Sequence, residues 1–223
     1  MSIYFQNIFA RRGGTRKPHL ARGCIDRKAT LPFGEKRFES APDLNTVIKV
    51  NGQLEQLLAT PELPSLGPGP RPGVLSISVL NQKFEALFSK SALPQQRQQL
   101  VRSLILLWHD HLDAAHTIAQ EIENPDGAFV HGIMHRREPD YGNAKYWFRR
   151  VDQHAVFPEI ANQVSKLLEP TLVKRLLSNG EWDAFAFIDC CEESNSRKSA
   201  HFIKPLQQIQ RIETEALLNW FAQ

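Results

Sequence analysis

The chain has 223 residues, of which 42% are hydrophobic and 23% are charged, and its formal net charge is +3. These values are ordinary for a globular protein, and so mild a positive charge does not by itself indicate nucleic-acid binding. No apolar run approaches the roughly 20 residues of a membrane span, so no membrane partner is expected. The three cysteines, Cys24, Cys190 and Cys191, suggest no disulfide framework and no CxxC zinc site, which favours a reducing, cytoplasmic location.

The first third of the chain is predicted to be mostly irregular. Residues 1–44 are rich in Arg, Gly, Pro and Lys without periodicity, which indicates a poorly ordered or wrapping arm. Apolar residues at helical spacing predict one helix over residues 45–58. Residues 59–73 then contain five prolines and three glycines, which exclude regular structure and indicate a linker. The sequence therefore divides into an extension, residues 1–73, and an α-helical domain, residues 74–223.

The rest of the chain shows apolar residues at helical spacing, interrupted by capping residues, prolines and glycines. The pattern predicts one helix that begins near residue 78 and others over residues 94–123, 124–138, 141–151, 157–169, 172–177, 181–193 and 200–221. Asn179-Gly180 is interpreted as a helix stop, and no hairpin is predicted. The amphipathic face of the last helix is expected to lie in the core or to form a homo-oligomer interface. The expected fold class is all-α, a helical bundle with a largely irregular N-terminal extension.

A functional site is most strongly indicated within residues 108–154, which contain six of the eight histidines. On a continuous helix, His109, Asp113 and His116 are spaced i, i+4 and i+7, so they share one face. That face would carry two imidazoles and a carboxylate, which together are typical ligands of a transition metal. The alternative is that the face is solvated, because the cleanest apolar stripe of this helix lies on the opposite side.

The following helix repeats the spacing with His131, His135 and Glu138. Two helices joined by so short a loop are usually antiparallel neighbours, so the two stripes are predicted to meet in one metal site. Imidazoles and carboxylates suit iron, manganese or zinc. Without a metal, His109 or His131 would act as a general base, oriented by Asp113 or Glu138.

A run of basic and aromatic residues follows, over residues 136–150. Its five basic side chains are Arg136, Arg137, Lys145, Arg149 and Arg150. Guanidinium groups bind phosphate or carboxylate in bidentate fashion, and aromatic rings stack on bases. The run therefore predicts a binding site for a small anionic ligand. The alternative is a half-buried helix whose aromatic side chains form core and whose charges are solvated or paired. Nucleic acid is a disfavoured partner because the net charge is small.

Two other features are interpreted as parts of the core. A lone histidine on the apolar side of a helix, here His111, is more often a hydrogen-bonded core residue than a ligand. The adjacent thiols of Cys190 and Cys191 have no third soft ligand close in sequence, so they are predicted to pack.

The segments HTIAQ and HGIMHRREPDYGNAKYWFRRV, residues 116–120 and 131–151, resemble a largely uncharacterised family of bacterial and fungal proteins that share this histidine- and arginine-rich block. The resemblance covers about residues 73–178. It implies membership of that family but no reaction and no ligand.

The sequence leaves two functions open, and with them whether the protein is an enzyme. The first is a metal-dependent enzyme or metalloprotein that acts on a small anionic substrate through the histidine stripes. The second is a non-catalytic module that binds a phosphorylated small molecule or nucleic acid through the basic run.

Overall fold

The computed structural model describes residues 52–89, 91–167, 169–196 and 202–223, and the predicted arm lies outside these ranges. Regular structure in them is almost entirely helical, which confirms the all-α fold class. The elements are α1 (residues 52–58), α2 (Ile77–Phe88), α3 (Gln95–Trp108), α4 (Leu112–Ala119), α5 (Pro125–Arg137), α6 (Tyr141–Val151), α7 (Phe157–Val164), α8 (Pro170–Leu176), β1 (Leu177–Ser178), β2 (Glu181–Trp182), α9 (Ala184–Asn195) and α10 (Ile203–Phe221). None of the described helices combines the length and the hydropathy that a bilayer-spanning segment needs.

The central helices α5 and α6 begin where their capping residues predict. Asn124 accepts a hydrogen bond from the backbone N–H of Gly127 at 2.8 Å, and Pro125 occupies the first helical position. Asp140 caps α6 by accepting from the backbone N–H of Asn143 at 3.2 Å. Side-chain oxygens at these positions satisfy N–H groups that have no partner inside the helix. The predicted bounds of both helices are therefore confirmed to within a residue.

The long helix predicted over residues 94–123 is wrong, because the chain breaks between α3 and α4. Asp110 has a φ of 65°, in the left-handed region, so α3 ends just before it and α4 starts two residues after it. The Asp110 carboxylate is held by Arg71 and Arg137, each 2.6 Å from its Oδ1. These ion pairs hold the break in place. His109 consequently does not share a helix with Asp113.

A hairpin that the sequence analysis does not predict follows α8. Asn179 and Gly180 have φ values of 53° and 84°, and they join β1 to β2 with Leu177 opposite Trp182. Two central residues with positive φ are the geometry of a tight hairpin turn, for which Asn-Gly is a strong signal. The flanking strands are only two residues long, so the sequence shows no alternation of apolar and polar residues that would predict them. The dipeptide is a turn rather than a helix stop, and α9 starts after β2.

Helix α5 lies at the centre of the bundle and packs closely on α6. Most of its residues are buried, including Phe129, Val130 and Met134. A Cβ at Gly132 would lie 2.7 Å from the ring of Phe148 on α6, so glycine is what permits this approach. Helix α10 packs against α3, α7 and α9 and buries one whole face. The sequence predicts this apolar face in the core or at a homo-oligomer interface, and in the structure it lies in the core.

Residues 52–73 pack against the later helices, although α1 is their only regular secondary structure. Leu54 and Leu57 on α1 and Leu66 in the proline-rich stretch belong to the same hydrophobic core as the later helices. The Arg71 guanidinium donates to the backbone carbonyl of Trp108 at 2.7 Å as well as to Asp110. A domain that begins at residue 74 thus omits a segment that contributes to the core. Leu66 provides part of this packing from between the prolines, without regular secondary structure.

Candidate metal centre

Three histidines from α4 and α5 converge at one place. The ring centroids of His116 and His131 are 4.6 Å apart, those of His116 and His135 are 5.8 Å apart, and those of His131 and His135 are 5.0 Å apart. One potential ligand atom from each ring lies within 4.8 Å of the others. The two rings on α5 come together because i and i+4 share a helix face. The structure therefore brings together three of the six predicted ligands.

Trp147 of α6 packs directly on this cluster. Its ring is stacked on the imidazole of His131, with centroids 3.9 Å apart and an interplanar angle of 15°. The close approach of α5 and α6 at Gly132 makes this contact possible. Sequence spacing gave no signal for it, because it depends on how two helices pack. The indole fixes the plane of the His131 ring, which a metal ligand requires.

Two of the cluster's ring nitrogens are buried without a hydrogen-bond partner in the described part of the chain, namely Nδ1 of His131 and Nδ1 of His135. Buried polar atoms are rarely left in this state. Burial, and secondarily the neighbouring His116 and His135, lower the pKa of His131 to about 4. Burial also lowers the pKa of His135. Both rings are therefore neutral near pH 7, which is the form that binds a metal ion.

His109 is not part of this cluster, and its assignment as a ligand and as a general base is wrong. The ring is buried, its Nδ1 accepts from the backbone N–H of Leu75 at 3.1 Å, and its Nε2 donates to the carbonyl of Leu57 at 2.9 Å. Both nitrogens are thus occupied by backbone groups. The helix break at Asp110 causes the difference. The neighbouring His111 donates from Nε2 to the Leu75 carbonyl at 2.7 Å, as expected of a hydrogen-bonded core histidine.

The two predicted carboxylate ligands also lie outside the group. Asp113 is exposed on α4. Glu138 follows the end of α5, and its Oε2 lies 3.3 Å from Nδ1 of His135, although not in hydrogen-bond geometry. A carboxylate beside the outer nitrogen of a histidine orients the ring and increases its basicity toward a metal. Glu138 therefore lies beside His135 and is not itself a member of the three-histidine group.

Arg136 and Arg137 are structural, which corrects their assignment to substrate binding. Both guanidinium groups are buried. Arg136 pairs with Glu213 of α10 through two hydrogen bonds, of 3.1 and 2.5 Å. Arg137 donates to Asp110 and to the backbone carbonyls of Leu107 and Gly67. A buried cation must be paired in this way, so neither is available to a ligand.

The remaining three basic residues lie on α6 and have different surroundings. Lys145 is paired with Asp189 at 2.5 Å. Arg149 is exposed and lines a cleft of about 880 Å³ between α6, α7 and the hairpin. Arg150 is exposed and lines a separate cleft of about 400 Å³, with its guanidinium carbon 5.3 Å from the centroid of Trp147. Neither the three histidines nor Trp147 line the larger cleft, whereas Trp147 lines the smaller one and also stacks on His131.

A second polar cluster has no counterpart in the sequence analysis. Asp126 Oδ1 accepts from Nε2 of His154 at 2.9 Å and from the indole N–H of Trp220 at 2.8 Å. Although burial opposes the charged form, these hydrogen bonds hold the pKa of Asp126 below its usual range. Nδ1 of His154 accepts from the backbone N–H of Val156, so both of its nitrogens are occupied. The cluster joins α5 to α10, and partners 94 residues apart leave no local signal.

The adjacent thiols of α9 are buried, as their interpretation as packing residues requires. Burial raises the pKa of Cys190 to about 11 and that of Cys191 to about 12. Both are therefore protonated near pH 7 and are poor metal ligands.

No protein-family model, no curated protein and no solved structure matches this chain. The family resemblance of the block at residues 131–151 stays a prediction, and the centre is interpreted from its own chemistry.

Proposed function

We propose that the protein binds one divalent transition-metal ion through His116, His131 and His135, and that the ion has an open coordination position for chemistry. The observation that carries the proposal is the convergence of three imidazoles, one of which, His131, buries an Nδ1 that has no hydrogen-bond partner in the described ranges. An unsatisfied buried polar atom costs about 1–3 kcal/mol, and a bound ion offsets this cost.

The spacing of the rings supports the assignment. An ion at 2.0–2.1 Å from each nitrogen in a tetrahedral site holds two nitrogens roughly 3.3 Å apart. The ligand atoms of the cluster lie within 4.8 Å of one another, so small side-chain rotations bring them to that distance. His131 is held by Trp147, and the partly exposed rings of His116 and His135 are the ones that have room to move.

Zinc fits the donor set best of the three candidate metals. The group contains three imidazole nitrogens and neither a thiolate nor a carboxylate. Manganese prefers oxygen ligands, and the common non-haem iron triad includes one carboxylate. Catalytic zinc sites, in contrast, have three protein ligands and a water molecule in the fourth position.

An open zinc site supports Lewis-acid chemistry. Bound there, the ion would lower the pKa of a coordinated water toward 7 and polarise a carbonyl or phosphoryl oxygen. His116 and His135 are partly exposed, so water and a small substrate can reach the ion. Glu138 beside His135 would support that ligand. This arrangement favours a metal-dependent enzyme over a purely structural zinc site, in which protein ligands fill all four positions.

The alternative of a non-catalytic anion module has weaker support. Arg136 and Arg137 form buried ion pairs, and Lys145 is paired with Asp189. Only Arg149 and Arg150 of the predicted set remain exposed without an ion pair in the described ranges.

Elemental analysis of the purified protein, followed by calorimetric titration of the chelator-treated protein with Zn²⁺, tests the proposal. We expect one ion per chain and loss of binding in His116→Ala, His131→Ala and His135→Ala. His111→Gln is the matched control, because its ring is hydrogen-bonded to a backbone carbonyl, and it should bind zinc normally. Substoichiometric zinc in the wild type, or equal affinity in all four variants, would refute a three-histidine centre.

A further inference from the structure

The small cleft beside the histidines, here called the Arg150 cleft, has a volume of about 400 Å³. Gln120, the C-cap residue of α4, lines it on one side, and Ala128 lines it from α5. Gln120 lies four residues after His116, and Ala128 lies three residues before His131, so each shares a helix face with a member of the cluster. The cleft therefore begins about one helical turn, roughly 5 Å, from the proposed metal ligands.

Trp147 connects the cleft to the metal centre. Its ring is stacked on His131, and the same side chain lines the cleft. A molecule in the cleft would thus contact the indole that positions a metal ligand. The volume lies within the range of small-molecule sites, which are commonly 300–1,000 Å³.

Arg150 gives the cleft its charge. Its guanidinium donates a long hydrogen bond, 3.4 Å, to the hydroxyl of Tyr146 and lies over the ring of Trp147. No carboxylate forms an ion pair with it in the described ranges, in contrast to Arg136 and Arg137. An exposed guanidinium oriented by aromatic rings binds a carboxylate or phosphate group in bidentate fashion.

Glu123 also lines the cleft and limits what it accepts. One cation and one anion favour a molecule with a single anionic group and a neutral polar remainder. A polyanion such as nucleic acid would be repelled by the carboxylate and is larger than the cleft.

We propose that the Arg150 cleft is the substrate subsite of the metal centre, and that it takes a small molecule with one carboxylate or phosphate group. The anionic group pairs with Arg150, and the rest of the molecule extends along α4 and α5 toward the histidines. This inference rests on the proposed function for the role of the metal, but anion binding by Arg150 can be measured without it.

The first experiment titrates chelator-treated protein with acetate and, separately, with inorganic phosphate, and follows the indole N–H signal of Trp147 by NMR. The signal is assigned by its loss in Trp147→Phe. We expect saturable shifts that require at least about tenfold more anion in Arg150→Gln, as loss of a charged hydrogen-bond pair implies. Arg149→Gln is the matched control, since it removes the same charge from an adjacent exposed residue of a different cleft, and its affinity should stay within about twofold. Equal affinity in the two variants, or no saturation in the wild type, would overturn the subsite.

The second experiment separates this inference from the proposed function. Cobalt-substituted protein is titrated with the same anions while its visible absorption is recorded. A spectral change in the wild type that is weakened in Arg150→Gln supports a subsite next to the ion. Cobalt binding with no response to either anion overturns the subsite and leaves the metal centre intact. Failure to bind cobalt or zinc, with anion binding still dependent on Arg150, overturns the metal centre and with it the subsite's catalytic role.

Discussion

The histidines at the end of α3 and those between α4 and α5 are close in sequence but have opposite surroundings. His109 is buried with both ring nitrogens bonded to backbone groups of Leu57 and Leu75. His131 and His135 bury a ring nitrogen that has no such partner in the described chain. Burial lowers the pKa of His109 as it does those of His131 and His135, so these three rings are neutral near pH 7. Only the second has binding capacity left for a ligand.

This difference distinguishes a structural histidine from a candidate ligand in this fold. Each group contains one buried histidine, His109 or His131, and one partly exposed histidine, His111 or His135. What differs is whether the backbone nearby satisfies the ring, as residues 52–75 do for His109 and His111. The same contrast applies to the arginines, because Arg136 and Arg137 are paired in the interior while Arg150 is exposed beside a cleft.

The largest expected effect comes from removing the backbone that satisfies the first group. A chain that starts at residue 74 loses the partner of His109 Nε2, the Arg71 ion pair and three buried leucines. We expect its free energy of unfolding in urea to fall by more than about 5 kcal/mol. A chain that starts at residue 45 is the control, and the sequence predicts that its stability matches the full chain. Equal unfolding midpoints for the two shortened chains would mean that residues 45–73 do not support the core.

The second prediction concerns how the stability of the metal-free protein depends on pH. His131 has a pKa of about 4 in the folded chain against a usual value of 6.5, so the unfolded chain binds more protons between these values. The free energy of unfolding should therefore decrease as pH falls from 6.5 to 4, with about 3 kcal/mol of the decrease due to His131. His131→Gln should remove this part. The decrease should not vanish, because the pKa of His109 and that of His135 are lowered as well. Unfolding at pH 7 and pH 4.5 measures it, and identical pH dependence in both proteins would contradict the assignment.

The third effect tests whether His109 is structural. His109→Gln disturbs two buried hydrogen bonds, and we expect a loss of about 2 kcal/mol in stability. Zinc affinity, measured by calorimetry below the melting temperature, should stay within about twofold of the wild type. Loss of zinc binding together with unchanged stability would reverse the roles of the two groups.

The smallest effect concerns the carboxylate beside His135. Glu138→Gln should weaken zinc binding by about tenfold, because the charge that supports the ligand is removed. The metal-free stability should change by less than about 0.5 kcal/mol, as is usual for an exposed position. Glu121→Gln removes the same charge from an exposed residue beyond the end of α4 and is the control. A similar zinc affinity in both variants would exclude a role for Glu138 in the centre.

Local signals account for the parts of the fold and site that the sequence predicts correctly. Asn124 and Asp140 mark the starts of α5 and α6 because a cap acts within three residues. The pairing of His131 with His135 follows from the geometry of one helix. The errors arise where contacts between residues distant in sequence determine the local structure. The break at Asp110 depends on Arg71 and Arg137, 39 and 27 residues away, so the long helix looks continuous in the sequence.

The same reason explains the misassigned side chains. Arg136 pairs with Glu213, which is 77 residues away in the sequence, and His109 bonds to Leu57, which is 52 residues away. Neither partner can be read from spacing. The contact of Trp147 with His131 likewise depends on the approach of two helices at Gly132. A sequence pattern predicts which residues share a helix face, but the packed structure decides which of them remain unsatisfied.

Anomalous diffraction from crystals grown with zinc, recorded on both sides of the zinc absorption edge, tests the central claim most directly. We expect a single strong peak with one nitrogen each of His116, His131 and His135 at about 2.0–2.1 Å, and no protein atom in the fourth position. The density of His109 should keep its two backbone hydrogen bonds. A peak at His109, or crystals without a peak between α4 and α5, would contradict the account.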